Sequence, residues 1–372
     1  MYLKELQLKN FRNYNEANIT FSPAVNVLIG ENAQGKTNLL EAIYVLAMAS
    51  SHRTAKDKEL IGFNQQYAQL KGEIIRRLGP LTLELELSKK GKKVKVNHIE
   101  RAKLSEYIGQ LNVILFAPED LALVKGAPAE RRRFIDMEFS QIDGLYLHDL
   151  SQYRTVLRQR NKYLKDLQLQ KTKDQLYLDV LSEQLASLGG KIIVKRLEYL
   201  QELESYARIL HAEITQKKET LTLSYEAPLR DATTKTAMQL SNELLQKMND
   251  IRKKEIFQGT TLIGPHRDDI KFFINDNNVQ IYGSQGQQRT AALSIKLAEI
   301  EVMKEQTGEY PILLLDDVLS ELDGNRQTHL LKTIQDKVQT FLTTPGLNDI
   351  ARQLIKEPKI FNIHAGEINL KL

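Results

Sequence analysis

The chain has no cysteine among its 372 residues. Disulfides, zinc–thiolate centres and thiol nucleophiles are therefore excluded. Long apolar runs are missing as well, and none approaches the roughly 20 residues that a membrane-spanning helix needs. The opening Met1-Tyr2-Leu3-Lys4-Glu5 lacks the continuous apolar stretch of a signal peptide. No internal repeat and no low-complexity linker is evident, so an inserted region is expected to emerge from its host domain without a flexible tether. These absences make a cytoplasmic protein with no membrane partner the expectation. The length suits one large domain or two ordinary ones. A net charge of +5 and a pI near 9.0 lean gently towards anionic partners.

What is present centres on residues 25–46. Val25-Asn26-Val27-Leu28-Ile29 reads as a buried strand, Gly30-Glu31-Asn32-Ala33-Gln34-Gly35-Lys36-Thr37 as a glycine loop, and Leu39 to Leu46 as a buried helix. Strand, Gly-x-x-x-x-Gly-Lys-Thr and helix in that order form a P-loop in its required context. Gly30 and Gly35 let the backbone curl with its N–H groups inward, towards phosphate oxygens. Lys36 supplies charge to the β- and γ-phosphates, Thr37 offers a hydroxyl to Mg²⁺, and the helix adds its positive end. Residues 30–37 are the expected contacts for a nucleoside triphosphate.

Residues 2–9 and 16–21 look like strands joined by Asn10-Phe11-Arg12-Asn13-Tyr14. That turn is either a hairpin anchored by its aromatic rings or a clamp whose Arg12 and Asn13 lean over the nucleotide. Residues 51–60 are loop by composition, a solvated connection or a segment that senses phosphate. Strands are expected at 67–77, 81–87 and 93–96. The lysines Lys89, Lys90, Lys92, Lys93 and Lys95 fit either DNA phosphates or a protected sheet edge. A further apolar strand covers 112–116. From about residue 121 leucines recur at helical spacing, including Leu178, Leu181, Leu185 and Leu188, which predicts a helical arm bent at Gly189-Gly190. A short strand at 221–225 and a helix at 236–257 complete it.

The carboxy-terminal part returns to short strands and helices. Gly264-Pro265-His266-Arg267-Asp268-Asp269 is a surface turn or a phosphate-facing loop. Ile270, Phe272 and Ile274 alternate as a strand, and Val279 and Ile281 should pair back on it. Ser284-Gln285-Gly286-Gln287-Gln288 opens an apolar helix. It is either an ordinary serine cap or a second anion-binding geometry. Ile312-Leu313-Leu314-Leu315-Asp316-Asp317 is an apolar strand ending in two acids, which buried strands avoid unless a cation or proton needs them. Asp316 is expected to hold the metal's water shell and Asp317 to polarise the attacking water. A final strand is expected at 338–342.

Together with Leu319-Ser320-Glu321-Leu322-Asp323, these motifs resemble the ABC-type ATPases. Nearly end to end the chain is similar to the RecF family of recombination mediators, relatives of the SMC proteins. The likeness includes Asn10 to Tyr14, Arg53 to Leu60, Phe116 to Leu121 and Gly264 to Asp269. It implies an α/β ABC-type P-loop head, a mixed sheet flanked by helices plus an antiparallel β subdomain, with an inserted helical arm. The head would span 1–120 and 260–372, and the arm 121–259. Ser284, Gly286 and Gln287 would be a signature loop closing on the ATP of a second copy, with Ser320–Asp323 as D-loop. Glu119 would stand where transporters carry their Q-loop glutamine, beside Asp317 in catalysis.

The resemblance further implies an ATP-dependent homodimer that binds gapped or junction DNA. It implies RecR as a partner, with RecO as an optional third member, and roles in loading recombinase, in replication restart and in SOS induction. Asp317 stands where many ABC enzymes have glutamate, and Thr343-Thr344 replace the switch histidine of transporters. Both departures point to a weak ATPase acting as a timer. A transporter subunit would place a compact helical subdomain between Glu119 and Ser284, a metabolic kinase has no use for a signature loop, and SMC proteins insert a far longer coiled coil.

Overall fold

The computed structural model describes residues 1–335, 337–346 and 354–370, apart from the Glu321 side chain. The chain divides into two compact units. One comprises 1–120, 213–216 and 293–372, the other 121–212 and 217–292.

The first unit opens with β1 (Tyr2–Phe11) and β2 (Tyr14–Thr20), then β3 (Val25–Ile29) and α1 (Lys36–Met48). β4 (Tyr67–Arg76), β5 (Gly79–Ser88), β6 (Gly91–Val96) and β7 (Ile99–Arg101) follow, and β8 (Val113–Phe116) ends the stretch. Six strands form an antiparallel sheet in the order β2-β1-β4-β5-β6-β7. Its strands alternate as a half-buried sheet requires: Leu83, Leu85 and Leu87 are buried while Glu84 and Glu86 face outward. On the outer face Glu86 stands opposite Lys93 and Glu84 opposite Lys95. α1 packs against strands of both large sheets in this unit, which is why nearly all of its residues are buried.

The second unit begins with α2 (Leu121–Lys125), α3 (Pro128–Ile142), α4 (Gly144–Gln168) and α5 (Leu176–Ile214). β9 (Leu221–Glu226), α6 (Ala237–Asp250), α7 (Arg252–Gln258), β10 (Asp269–Ile274), β11 (Asn277–Asn278) and α8 (Val279–Tyr282) complete it. α5 runs helically through Gly189 and Gly190, where a bend was expected. These glycines serve close packing: a Cβ on Gly190 would lie 2.4 Å from Ala237 O and 2.3 Å from Ser241 Oγ. Residues 260–292, expected with the head, cluster here because β10 pairs with β9 along its whole length. Val279 and Ile281 do not pair back as a strand. Asn278 caps the backbone N–H groups of Gln280 and Ile281 and turns the chain into α8.

α9 (Gln285–Thr307) carries the chain into the rest of the first unit: β12 (Ile312–Asp316), α10 (Val318–Glu321), α11 (Gly324–Ile334), β13 (Thr340–Thr344), β14 (Lys359–His364) and β15 (Glu367–Leu370). These complete a second six-stranded sheet in the order β15-β14-β3-β13-β12-β8. All but β15 run parallel. The carboxyl ends of β3, β13, β12 and β8 therefore share one edge, the position where open parallel sheets bind ligands.

Candidate nucleotide-binding site

Four consecutive strands deliver functional groups to that shared edge. β3 ends in the glycine loop, β13 in Thr343 and Thr344, β12 in Asp316 and Asp317, and β8 leads to Glu119. Inside the loop Ala33 has φ 65° and Gly35 φ 118°, the left-handed turns that aim successive N–H groups inward. Gly30 has no room for a side chain, since a Cβ would lie 2.3 Å from Ile363 O. The Lys36 ammonium donates to Gly30 O at 2.5 Å and Glu31 O at 3.0 Å. It is thus held across the mouth of the loop by neutral carbonyls, with no ion pair to a carboxylate among the described residues. Asn32 and Ala33 lie on the exposed crest of the loop, and Gln34 ties that crest to the β14–β15 turn by accepting from Ala365 N at 2.7 Å and Gly366 N at 3.0 Å.

The acids sit beside the loop. Asp316 Oδ1 accepts from Thr37 Oγ1 at 3.0 Å and from Thr343 Oγ1 at 2.8 Å. Thr343 Oγ1 also accepts from the Asp317 amide at 2.8 Å. Asp317 has φ 52°, which turns its carboxylate off the strand direction. Among the described residues its buried Oδ1 has no hydrogen-bond partner. Burial raises the Asp317 carboxyl above its ordinary range, the charge of Asp316 adds to this, and Lys36 opposes it. One hydroxyl, one carboxylate and an orphaned acid beside the Lys36 ammonium fit a magnesium nucleotide, because Mg²⁺ keeps several waters and needs few protein ligands. Glu119 lies exposed in the turn Pro118–Asp120, one strand over from Asp316.

The hairpin turn is anchored by its aromatic rings, and its two polar residues take different partners. Phe11 and Tyr14 are buried anchors, with Tyr14 OH donating to Gly35 O at 2.9 Å. Asn13 donates to Gln34 O at 3.3 Å and accepts from Asn38 at 2.8 Å, so it does lie against the loop. Arg12 is engaged elsewhere. Its fork closes on both oxygens of Glu41 at 2.9 Å, and Nη1 donates to Glu59 O. Burial alone would push the fully buried Glu41 carboxyl up, but Arg12, Ser51 and Arg53 hold it below the ordinary value.

In the second unit Ser284 caps α9. Its Oγ accepts from Gln287 N at 3.2 Å while Gln287 Oε1 accepts from Ser284 N at 2.9 Å, a reciprocal capping box. Gly286 follows within the first turn, and Ser284 itself is exposed. His266 and Arg267 do not form a phosphate pocket on their own. His266 Nδ1 faces Tyr153 OH at 2.6 Å, and Arg267 donates to Thr261 O.

A family model described as the RecF/RecN/SMC N-terminal domain matches residues 2–353. A DNA replication and repair protein RecF of Ligilactobacillus salivarius is 67% identical, covering 99% of this chain and 97% of its own length. The chain belongs to the RecF family. Another relative of that name, from Bacillus pumilus, is 54% identical over 99% of this chain and its whole length. A solved structure of the recombination mediator RecF with ATP, in the RecFOR pathway, aligns with TM-score 0.92 and 35% identity, covering 100% of this chain and 98% of that one. An Smc head domain from Pyrococcus furiosus aligns at TM-score 0.56 and 16% identity, a likeness of fold. The ABC-type ATPase head expected from the motifs is thus the fold observed.

The lysines raised as DNA contacts divide sharply, and so do the arginines at 131–133. Lys92 is committed to Ala49 O at 2.5 Å and Asp57 at 2.9 Å. Arg131 is buried and pairs with both oxygens of Asp269, and Arg132 donates to Asp268 O. Lys89, Lys90 and Arg133 remain exposed. Arg53 and Thr343 were not singled out as site residues. Arg53 reaches Asn38, next to Thr37, at 2.9 Å, and no sequence spacing foretold that. The sequence marks Thr343 only by the histidine it replaces, although its hydroxyl organises both acids.

Proposed function

We propose that the chain is an ATP-dependent DNA-binding protein of recombinational repair, in which a bound ATP joins two copies around DNA. The observation that carries this reading is the convergence of Lys36, Thr37, Asp316, Asp317 and Thr343 on one sheet edge. Phosphates are bound by the loop backbone from Gly30 to Thr37 and by the Lys36 ammonium. Thr37 and Asp316 would hold Mg²⁺, which supplies electrostatic stabilisation of phosphate charge. Ser284, Gly286 and Gln287 of a second copy close on the γ-phosphate, giving a two-fold dimer with two nucleotides.

In hydrolysis a water oxygen forms the new bond to the γ-phosphorus and the bond to the bridging oxygen breaks. The water's proton passes to the Asp317 carboxylate, which burial has made more basic. Glu119 assists from the neighbouring strand end. Asp317 reaches one methylene less far than glutamate, and Thr343 offers a hydroxyl where a histidine would contact the γ-phosphate. Both make hydrolysis slow, so that it times release from DNA. The relatives' names support DNA as the target and the RecFOR pathway as the setting; gapped or junction duplex, RecR with RecO as partners and the cytoplasm as location are part of the same proposal.

Fluorescence anisotropy of labelled gapped duplex tests this directly. Retention is expected with ATP and with a non-hydrolysable analogue, and loss with ADP. Equal binding in all three states would refute it.

A further inference from the structure

We propose that Glu219 is the positioning residue of the Ser284–Gln288 loop, and that it acts through Gln287. Glu219 sits in the turn between α5 and β9, directly after Lys217 and Lys218. It would be an unremarked surface acid but for where its carboxylate points. Oε1 accepts from Gln287 Nε2 at 2.9 Å, and Oε2 faces His211 Nε2 at 3.1 Å. His211 is fully buried in the last turns of α5, so the acid is braced from beneath. Burial lowers the His211 basicity despite its bonds to Glu219 and to the Thr290 backbone, which fits a neutral donor.

The turn itself is fixed. Gln216 and Lys217 both have positive φ, at 54° and 60°, and end the helix. Thr220 and Asn275 then exchange hydrogen bonds between Thr220 N and Asn275 Oδ1 and between Asn275 N and Thr220 O. Gln287 is the other half of the capping box, so its amide has two duties. Oε1 satisfies Ser284 N, and Nε2 is held by Glu219. An amide with one end anchored on a carboxylate cannot flip, and its orientation fixes the Ser284 backbone. Glu219 therefore presents Ser284 to a phosphate without touching it.

This inference rests on the proposed role of the loop in dimerisation, and the experiment separates the two. Full-length wild type, Glu219→Ala, Glu219→Gln, Gln287→Ala, the Glu219→Ala/Gln287→Ala double variant and Ser284→Arg are compared by sedimentation velocity with ATP and magnesium. Affinity for a fluorescent ATP analogue at monomer concentrations and the melting temperature are measured alongside.

Glu219→Ala is expected to weaken dimerisation at least about tenfold, with nucleotide affinity and melting unchanged. Glu219→Gln, which keeps an acceptor, recovers most of the loss, and adding Glu219→Ala to Gln287→Ala has little further effect. Wild-type dimerisation by Glu219→Ala, while Ser284→Arg stays monomeric, overturns this inference alone. A dimerisation loss that Glu219→Gln does not recover, or that tracks a fall in melting temperature, also overturns it. A wild type that stays monomeric defeats the underlying reading instead.

Discussion

The Thr37 hydroxyl donates to Asp316 Oδ1 at 3.0 Å, joining the first turn of the P-loop helix to the end of β12. Thr343 completes the arrangement from β13, which lies between the two in the sheet. Its single hydroxyl donates to Asp316 and accepts from the Asp317 amide, so both acids are placed by one side chain. Asp317 is left with an oxygen that has no bond to make within the described residues of the chain.

That orphaned oxygen predicts a separation of binding from turnover. Asp317→Asn should lower single-turnover phosphate release about 100-fold or more, as expected for loss of a general base, while ATP affinity stays near wild type. Rapid-quench phosphate release and equilibrium nucleotide titration check the two halves. Unchanged release would remove Asp317 from the chemistry.

Arg12 should prove structural. Arg12→Ala leaves the wholly buried Glu41 facing Ser51 and Arg53, and breaking a buried pair from one side costs about 3 kcal/mol. Urea unfolding should show that loss. Arg12→Lys should recover little of it, because one ammonium cannot reproduce a two-pronged contact. A variant with native stability and weakened ATP binding would return Arg12 to the nucleotide.

At Gly190 two effects oppose each other. Alanine gains up to about 1 kcal/mol of helix propensity. Its Cβ, however, meets the backbone oxygen of Ala237 at 2.4 Å, and overpacking of this kind costs about 1–3 kcal/mol. Gly190→Ala is therefore expected to be net destabilising in thermal denaturation. A stabilised variant would show that α6 has room to withdraw.

His266 supplies an acid-sensitive element. Burial, reinforced by Arg267, Arg132 and Arg160, lowers its pKa to about 4, and Tyr153 OH bonds the neutral ring. An unfolded histidine titrates near 6.5. Between those values the unfolded chain binds a proton that the folded chain refuses. The contribution is therefore complete above about pH 6.5 and is lost as pH falls towards 4, on the order of 3 kcal/mol. His266→Gln should flatten that part of the stability–pH curve relative to wild type. Parallel curves would refute it.

The P-loop was legible because glycine spacing, a β-branched strand and an apolar helix all sit within some twenty consecutive residues and point the same way. The two acids were legible because a buried strand rarely ends so. Contacts between distant segments were not, and Arg12 shows why: two turn residues side by side, Arg12 and Asn13, look equally able to reach the loop, and only the buried Glu41 decides between them. Gly189-Gly190 misled for a related reason, since glycine marks a bend and a close helix approach alike. The lysines at the β5–β6 tip show the same limit. Lys92 and Lys90 share a composition, but only Lys92 finds Asp57 and a carbonyl to hold it.

Sedimentation velocity with and without ATP and magnesium, in the presence of gapped DNA, tests the central claim most directly. Wild type should shift from monomer to dimer on adding ATP. Lys36→Met should stay monomeric through lost nucleotide affinity, and Ser284→Arg should stay monomeric while still binding ATP. A wild type that remains monomeric at saturating ATP would contradict the account.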